Sequence, residues 1–174
     1  SAAEGTIRFE RRVLDTSETD LDSFWARRRE PLCDVAATPH GTIEDAGPRV
    51  LQLDFANAYI GGGVLGNGCV QEEIRFLLSP ELIVARLVCE RMEPNEAILM
   101  QGFERFSNYT GYARSFGYGG QHADDPVPSR RPYLIAIDAT SYGRSQPWKQ
   151  FGPRELEREL NKALAGFVGE TPPG

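Results

Sequence analysis

Between Val50 and Phe55 the chain sets Leu51, Leu53 and Phe55 against Gln52 and Asp54. That period of two predicts a strand, ending in the polar Asn57. The period changes at Gln71, and Gln71–Leu78 reads as the opening of a helix. Ser79-Pro80-Glu81 offers a second helix start, with serine as cap and proline at the first helical position. Leu82, Ile83, Leu87 and Val88 would be its buried face. Glu96–Gly102 and Tyr133–Ala139 read as buried strands, the second of them central. Over Pro153–Phe167, Leu156, Leu160, Leu164 and Phe167 fall on one stripe of an amphipathic helix, a stripe expected in the core. Weaker signals fill the gaps. Residues 6–13 alternate briefly; Asp20–Arg29 is a short helix or a docked loop around Phe24 and Trp25; Pro31–Gly47 is turn-rich. Ser107–Phe116 suggests a hairpin or clasp, 117–132 an exposed loop, and 169–174 a loose tail. No internal repeat is present. Strands alternating with helices predict the α/β class.

A chain of 174 residues is long enough for one domain with its own core. Its 40% hydrophobic and 25% charged residues are ordinary globular values. The formal charge of −6 argues against a sequence-specific nucleic-acid binder, which would carry a basic face. An anionic ligand would therefore be held by local backbone N–H groups and a few arginines. Cys33, Cys69 and Cys89 are widely spaced, with only His40 and His122 to assist them. No metal site is expected from that set, and free thiols are the default. No run is long and apolar enough for a membrane helix, so a soluble, intracellular protein without a membrane partner is expected.

The densest chemistry lies just after the first confident strand. Gly61-Gly62-Gly63 is followed by seven residues and then Gln71-Glu72-Glu73. Strand, glycine loop and helix is a usual setting for phosphate, because glycines let the backbone approach and a helix start presents N–H groups. The loop lacks the Gly-Lys-Ser/Thr ending of a P-loop and does not fit the dinucleotide spacing. Taken singly, a triglycine is often only a flexible turn, and two acids in a first helical turn mostly complement the helix dipole. Asp54 and Asn57 at the end of the strand add polar groups where α/β sheets gather ligands. Turn stabilisation is their plainer reading.

The run from Leu53 to Leu87, with its GGG and QEE, resembles the hallmark region of poly(ADP-ribose) glycohydrolases. The likeness extends to Gly41–Asp45, Ser107–Ala113, Ile135–Ala139 and Glu159–Ala163, in the same order. It implies a macrodomain, a three-layer α/β/α fold with a mixed central sheet, occupying residues 1–168. It implies hydrolysis of ribose–ribose bonds in poly(ADP-ribose), with ADP-ribose as product and no cofactor. By resemblance Glu73 is the acid/base, Glu72 orients the terminal ribose, and Asp54 and Asn57 line the ribose site. Gly61, Gly62 and Gly63 would let the backbone meet sugar and diphosphate, and Gln71 would help position the helix start. Tyr109 and Tyr112 would form a clasp, with the Tyr112 hydroxyl near phosphate. Ile43 and Glu44 would lie on the adenine side, where a carboxylate can accept from the amine.

Two tensions accompany this reading. Neighbouring glutamates on a helix diverge by about 100° and so would not share a role. A helix start also favours the ionised carboxylate, whereas an acid must keep its proton. The family's catalytic region further includes a second glycine-rich loop and aromatic residues with no counterpart here. The chain is therefore expected to be either a fragment, with a second chain or fragment completing the domain as a partner, or a shortened variant. The rival readings are a module that binds ADP-ribose without cleaving it, and an α/β domain of unrelated function. A pure reader has no need of the paired glutamates.

Overall fold

The computed structural model describes residues 5–15, 21–31, 33–47, 50–123 and 132–168. Four strands, β1 (Arg8–Val13), β2 (Leu51–Ala56), β3 (Glu96–Gln101) and β6 (Tyr133–Asp138), form one sheet in the order β1-β3-β6-β2. β2 and β6 are parallel, and the β1–β3 and β3–β6 pairs antiparallel, so the sheet is mixed. The predicted strands are all found, and β6 is interior to the sheet. Residues alternate between its faces as the pleat requires. Ile98, Met100, Leu134, Ala136 and Ala56 face one way, packing with Phe76, Leu82 and Ala85. Those partners come from α2 (Gln71–Leu78), the 3-10 segment Pro80–Val84 and α3 (Ala85–Val88). Ala97, Leu99 and Ile135 face the other way, against Ala165 of α4 (Pro153–Phe167). This is a three-layer α/β/α arrangement around a mixed sheet.

Several expectations are corrected. Ser79-Pro80 opens a 3-10 turn with no side-chain cap bond, and only the four residues of α3 become α-helical. The rotation shifts the apolar face: Leu82 is buried, but Leu87 is 86% exposed and Val88 is exposed too. α4 has the predicted bounds but turns the other way. Leu156, Leu160 and Phe167 are exposed, while Lys162, Ala165 and Gly166 meet the sheet. A Cβ at Gly166 would lie 2.8 Å from Ile137, so the helix approaches the sheet more closely there than a side chain allows. Within 117–132, expected as loop, Gly117–Gln121 is β5, paired antiparallel with β4 (Ser107–Thr110) as the predicted hairpin. Residues 124–131 and the expected tail 169–174 lie outside the described residues. α1 (Leu21–Arg27) is a helix that also docks, its Trp25 indole N–H donating to Asn161 of α4 at 2.7 Å.

What orients α4 is charge rather than leucine. Lys162 is fully buried; its ammonium donates to the Glu96 carbonyl at 2.8 Å and pairs with Asp138. Arg158 reaches the same carboxylate at 2.8 Å and the Asp138 carbonyl at 3.1 Å. Burial lowers the Lys162 pKa, and the Asp138 carboxylate opposes that shift. Removing one member strands a buried charge. Lys162→Met is therefore expected to lose about 3 kcal/mol by denaturant unfolding, and Lys162→Met with Asp138→Leu to recover part of it. A loss below about 1 kcal/mol would show that the pair does not seat the helix.

Candidate active site

Beyond β2 the chain loops back over the strand end and re-enters the fold at α2. Ile60 and Val64 plug into the core beside Phe76 and fix the height of the glycines between them. Gly61 and Gly62 have φ of +84° and +46°, conformations that L side chains rarely adopt. The loop closes on itself as the Gly66 and Gly68 N–H groups donate to the Gly63 carbonyl at 2.8 and 3.1 Å.

Two N–H groups of the triglycine, those of Gly61 and Gly63, are taken by the protein's own carboxylates. Glu72 accepts from Gly61 at 2.6 Å and from Asn57 at 2.9 Å. Glu73 accepts from Gly63 at 2.8 Å and from Val70 at 3.0 Å, the latter being half of a capping box at the third helical position. The two side chains, expected to diverge, converge on one bend. A Cβ on Gly62 would sit 2.5 Å from a Glu73 oxygen and 2.6 Å from a Glu72 oxygen. On Gly68 it would sit 2.7 Å from Glu73. The glycines are thus explained by the carboxylates lying against bare backbone. Glu72 is 2% and Glu73 6% exposed.

Gln71 places the helix start, as expected. Its amide accepts from the Phe55 N–H at 2.8 Å and donates to the Leu53 carbonyl at 2.9 Å, clamping α2 onto β2. Asp54 is fully buried on the α2 face of β2, and neither of its oxygens has a hydrogen-bond partner. Arg75 is buried as well, donating to Gln52 at 2.6 Å and lying 5.1 Å from the Phe103 ring centre. The Asn57 side chain accepts from the Tyr59 N–H at 2.9 Å, the plainer turn role.

Burial pushes the Asp54 carboxyl well above its ordinary value, the Glu72 charge adding to the effect and Arg75 opposing it. Burial also raises Glu72 from the ordinary 4.5 to about 7, against the pull of the Asn57 and Gly61 N–H groups. Glu73 raises it further and Arg86 lowers it. Burial brings Arg75 down to about 10. Three carboxyls share one buried corner, and for two of them, Asp54 and Glu72, burial favours the protonated form. Helix start and N–H bonds favour ionisation, but desolvation outweighs them.

A second group borders this one. The 3-10 turn Ile43–Asp45 packs against β2, and β4 packs against α2. Arg105 joins them, donating to Asp45 at 2.8 Å and to the Ser107 carbonyl at 3.1 Å. One oxygen of half-buried Glu44 is buried and unpartnered. Its charge is felt by both Arg75 and Tyr109, whose hydroxyl is raised chiefly by burial. Ile43 is half-buried; Tyr109 lies 5.9 Å from Phe116 between ring centres, and Tyr112 is exposed on the hairpin. Arg75 and Arg86 were not singled out from the sequence. Arg86 donates to the Gly62 carbonyl at 2.6 Å and to the Ile60 carbonyl at 3.3 Å. Nothing in a local pattern marks a residue 24 positions after its partner.

The family model described as Poly (ADP-ribose) glycohydrolase (PARG), Macro domain fold, matches residues 22–173. Poly(ADP-ribose) glycohydrolase 1 of Arabidopsis thaliana is 46% identical over 94% of this chain and 30% of its own length. Probable poly(ADP-ribose) glycohydrolase 2 of the same plant is 40% identical over 94% and 33%. Poly(ADP-ribose) glycohydrolase 1 of Caenorhabditis elegans is 34% identical over 97% and 23%. The chain spans about a third or less of the length of the curated relatives it matches.

Two outcomes follow from the carboxylate cradle. Gly62→Ala must displace both glutamates from positive-φ backbone, and a loss of about 2 kcal/mol is expected in thermal or denaturant unfolding. A neutral Gly62→Ala would contradict the cradle. Because Glu72 has a raised native pKa, the native state binds more protons than the unfolded one between 4.5 and about 7. Stability should therefore fall as pH rises through that window, and the slope should be shallower in Glu72→Gln. Identical slopes would refute the raised carboxyl.

Proposed function

This chain belongs to the poly(ADP-ribose) glycohydrolase family, of macro domain fold, and from that premise we propose that it carries the acid–base centre of such an enzyme. The reaction is hydrolysis of ribose–ribose O-glycosidic bonds, releasing ADP-ribose from the chain end. The observation that carries this reading is the pair of buried carboxyls, Glu72 and Glu73, laid side by side on the triglycine bend. Glu73 donates its proton to the departing ribose oxygen as the glycosidic bond breaks. Positive charge builds on the anomeric carbon of the other ribose and is sheltered by the carboxylate that Glu73 becomes once its proton has left. Water then adds there and returns a proton to Glu73, which restores the starting state. Glu72 orients the terminal ribose, with Asp54 beneath it and Asn57 at the rim. Glu44 accepts from the adenine amine, with Ile43 beside it, and Tyr109 and Tyr112 close over the ligand.

A reader that binds ADP-ribose without hydrolysis is the second reading. The buried acid pair disfavours it, because mere recognition has no need of two adjacent carboxyls beside the sugar. A second polypeptide segment completing the domain is part of the proposal. Its support is the exposed apolar side chains Leu156, Leu160 and Phe167 on α4 and, separately, Phe55, 65% exposed, on β2.

The purified chain is to be incubated with poly(ADP-ribose), alone and mixed with a polypeptide supplying the rest of a relative's catalytic domain. Free ADP-ribose is expected in the mixture, and Glu73→Gln should lower the rate about 10²–10⁴-fold while ADP-ribose binding by calorimetry survives. Equal rates for the two proteins would remove Glu73 from the reaction, and binding without product in the wild-type mixture would favour the reader.

A further inference from the structure

Two peptide groups of the triglycine bend separate opposite charges. The Ile60 carbonyl faces Arg86 at 3.3 Å, and the N–H of the same peptide, on Gly61, faces Glu72 at 2.6 Å. The Gly62 carbonyl faces Arg86 at 2.6 Å, and the N–H of that peptide, on Gly63, faces Glu73 at 2.8 Å. No cis peptide is present among the described residues, and in a trans peptide C=O and N–H point in opposite directions. Fixing the carbonyl of each unit therefore fixes the aim of its N–H. Binding a cation at the oxygen also polarises the amide and strengthens the bond its hydrogen makes. The Arg86 stem packs where a Gly61 side chain would stand, its Cγ 3.2 Å from that point.

We propose that Arg86 is the positioning residue of the carboxylate pair, gripping the outer side of the two peptides whose inner sides hold Glu72 and Glu73, and fixing the charge the pair carries. The proposal deepens the glycohydrolase reading and rests on it only for the consequence in rate. Around Glu72 the charged groups are Asp54 from β2, Glu73 from its own helix and Arg86 from α3, with Arg75 acting on Asp54. The Asn57 and Gly61 N–H groups complete the shell. Of these, Arg86 is the positive charge that acts on Glu72 itself. Both bonds come from one guanidinium nitrogen, Nη1, and a lysine at the same place would keep the charge while its side chain ends one bond short of that nitrogen.

The test is a carbon-13 NMR titration of the glutamate carboxyls in the purified chain, for wild type, Arg86→Met and Arg86→Lys. The Glu72 midpoint should rise by about 1 unit in Arg86→Met. Most of that rise should be rescued in Arg86→Lys. The Gly61 and Gly63 amide proton shifts should move in both variants, because both lose the paired carbonyl contacts. An unmoved Glu72 midpoint in a folded Arg86→Met, or unmoved glycine amides in Arg86→Lys, would overturn the proposal. The titration needs no turnover. A wild-type mixture without hydrolysis but with a shifted midpoint would sink the glycohydrolase reading and leave this one standing. If both hold, Arg86→Met should lower kcat in the mixture while KM changes less.

Discussion

Two peptide units at the triglycine bend set the geometry of this site. Each must face a cation with its oxygen and a carboxylate with its hydrogen, and no Cβ can lie between. That requirement accounts for the glycines, for the positive φ at Gly61 and Gly62, and for the core anchors Ile60 and Val64 on either side. It also accounts for α2 beginning where it does. Gln71 clamps the strand backbone, so the next two residues meet the loop instead of solvent. A buried carboxylate is costly unless hydrogen-bonded. Here each of the two glutamates receives two backbone N–H bonds.

Those bonds do not neutralise the corner. Asp54 lies beneath with no hydrogen-bond partner, and burial outweighs every favourable contact at Glu72. The result is a corner where burial favours the protonated form of Asp54 and Glu72 while backbone dipoles keep its geometry fixed. Those two properties normally oppose one another: the contacts that fix a carboxylate also strip its proton. At Glu72 desolvation and the neighbouring Glu73 charge favour the proton without loosening the contacts.

Much of the fold was legible because it rests on local periodicity. β2, β3 and β6 follow from alternation or apolar runs, and Gln71 and Pro153 open their helices as read. What failed was orientation. The leucines of α4 form a clean stripe, yet a buried Lys162 paired with Asp138 turns the opposite face inward. Hydropathy cannot see an ion pair that closes 24 residues away. Leu87 and Val88 were misplaced because a 3-10 turn before α3 changes the angular count per residue. At the candidate site the sequence singles out Glu72, Glu73 and the triglycine, but not how they lie against one another. The glycines were read as room for a ligand, and in the fold they first make room for Glu72 and Glu73. Arg86 had no signal of its own, since its meaning depends on which carbonyls the loop turns outward.

The free side of β2 raises one more consequence. Pairing with β6 uses one edge of the strand, and at Leu53 and Phe55 the Gln71 side chain satisfies one carbonyl and one N–H. An amide side chain carries the same donor and acceptor as a peptide group, so it occupies those two groups as a neighbouring strand would. A further strand could pair with β2 ahead of Leu53 without disturbing the helix start. Beyond that point it would have to displace Gln71, and with it the clamp that holds Glu72 and Glu73 to the bend. The order of assembly and the chemistry are thus tied through one side chain: whatever lies along this edge either stops short of the site or alters it.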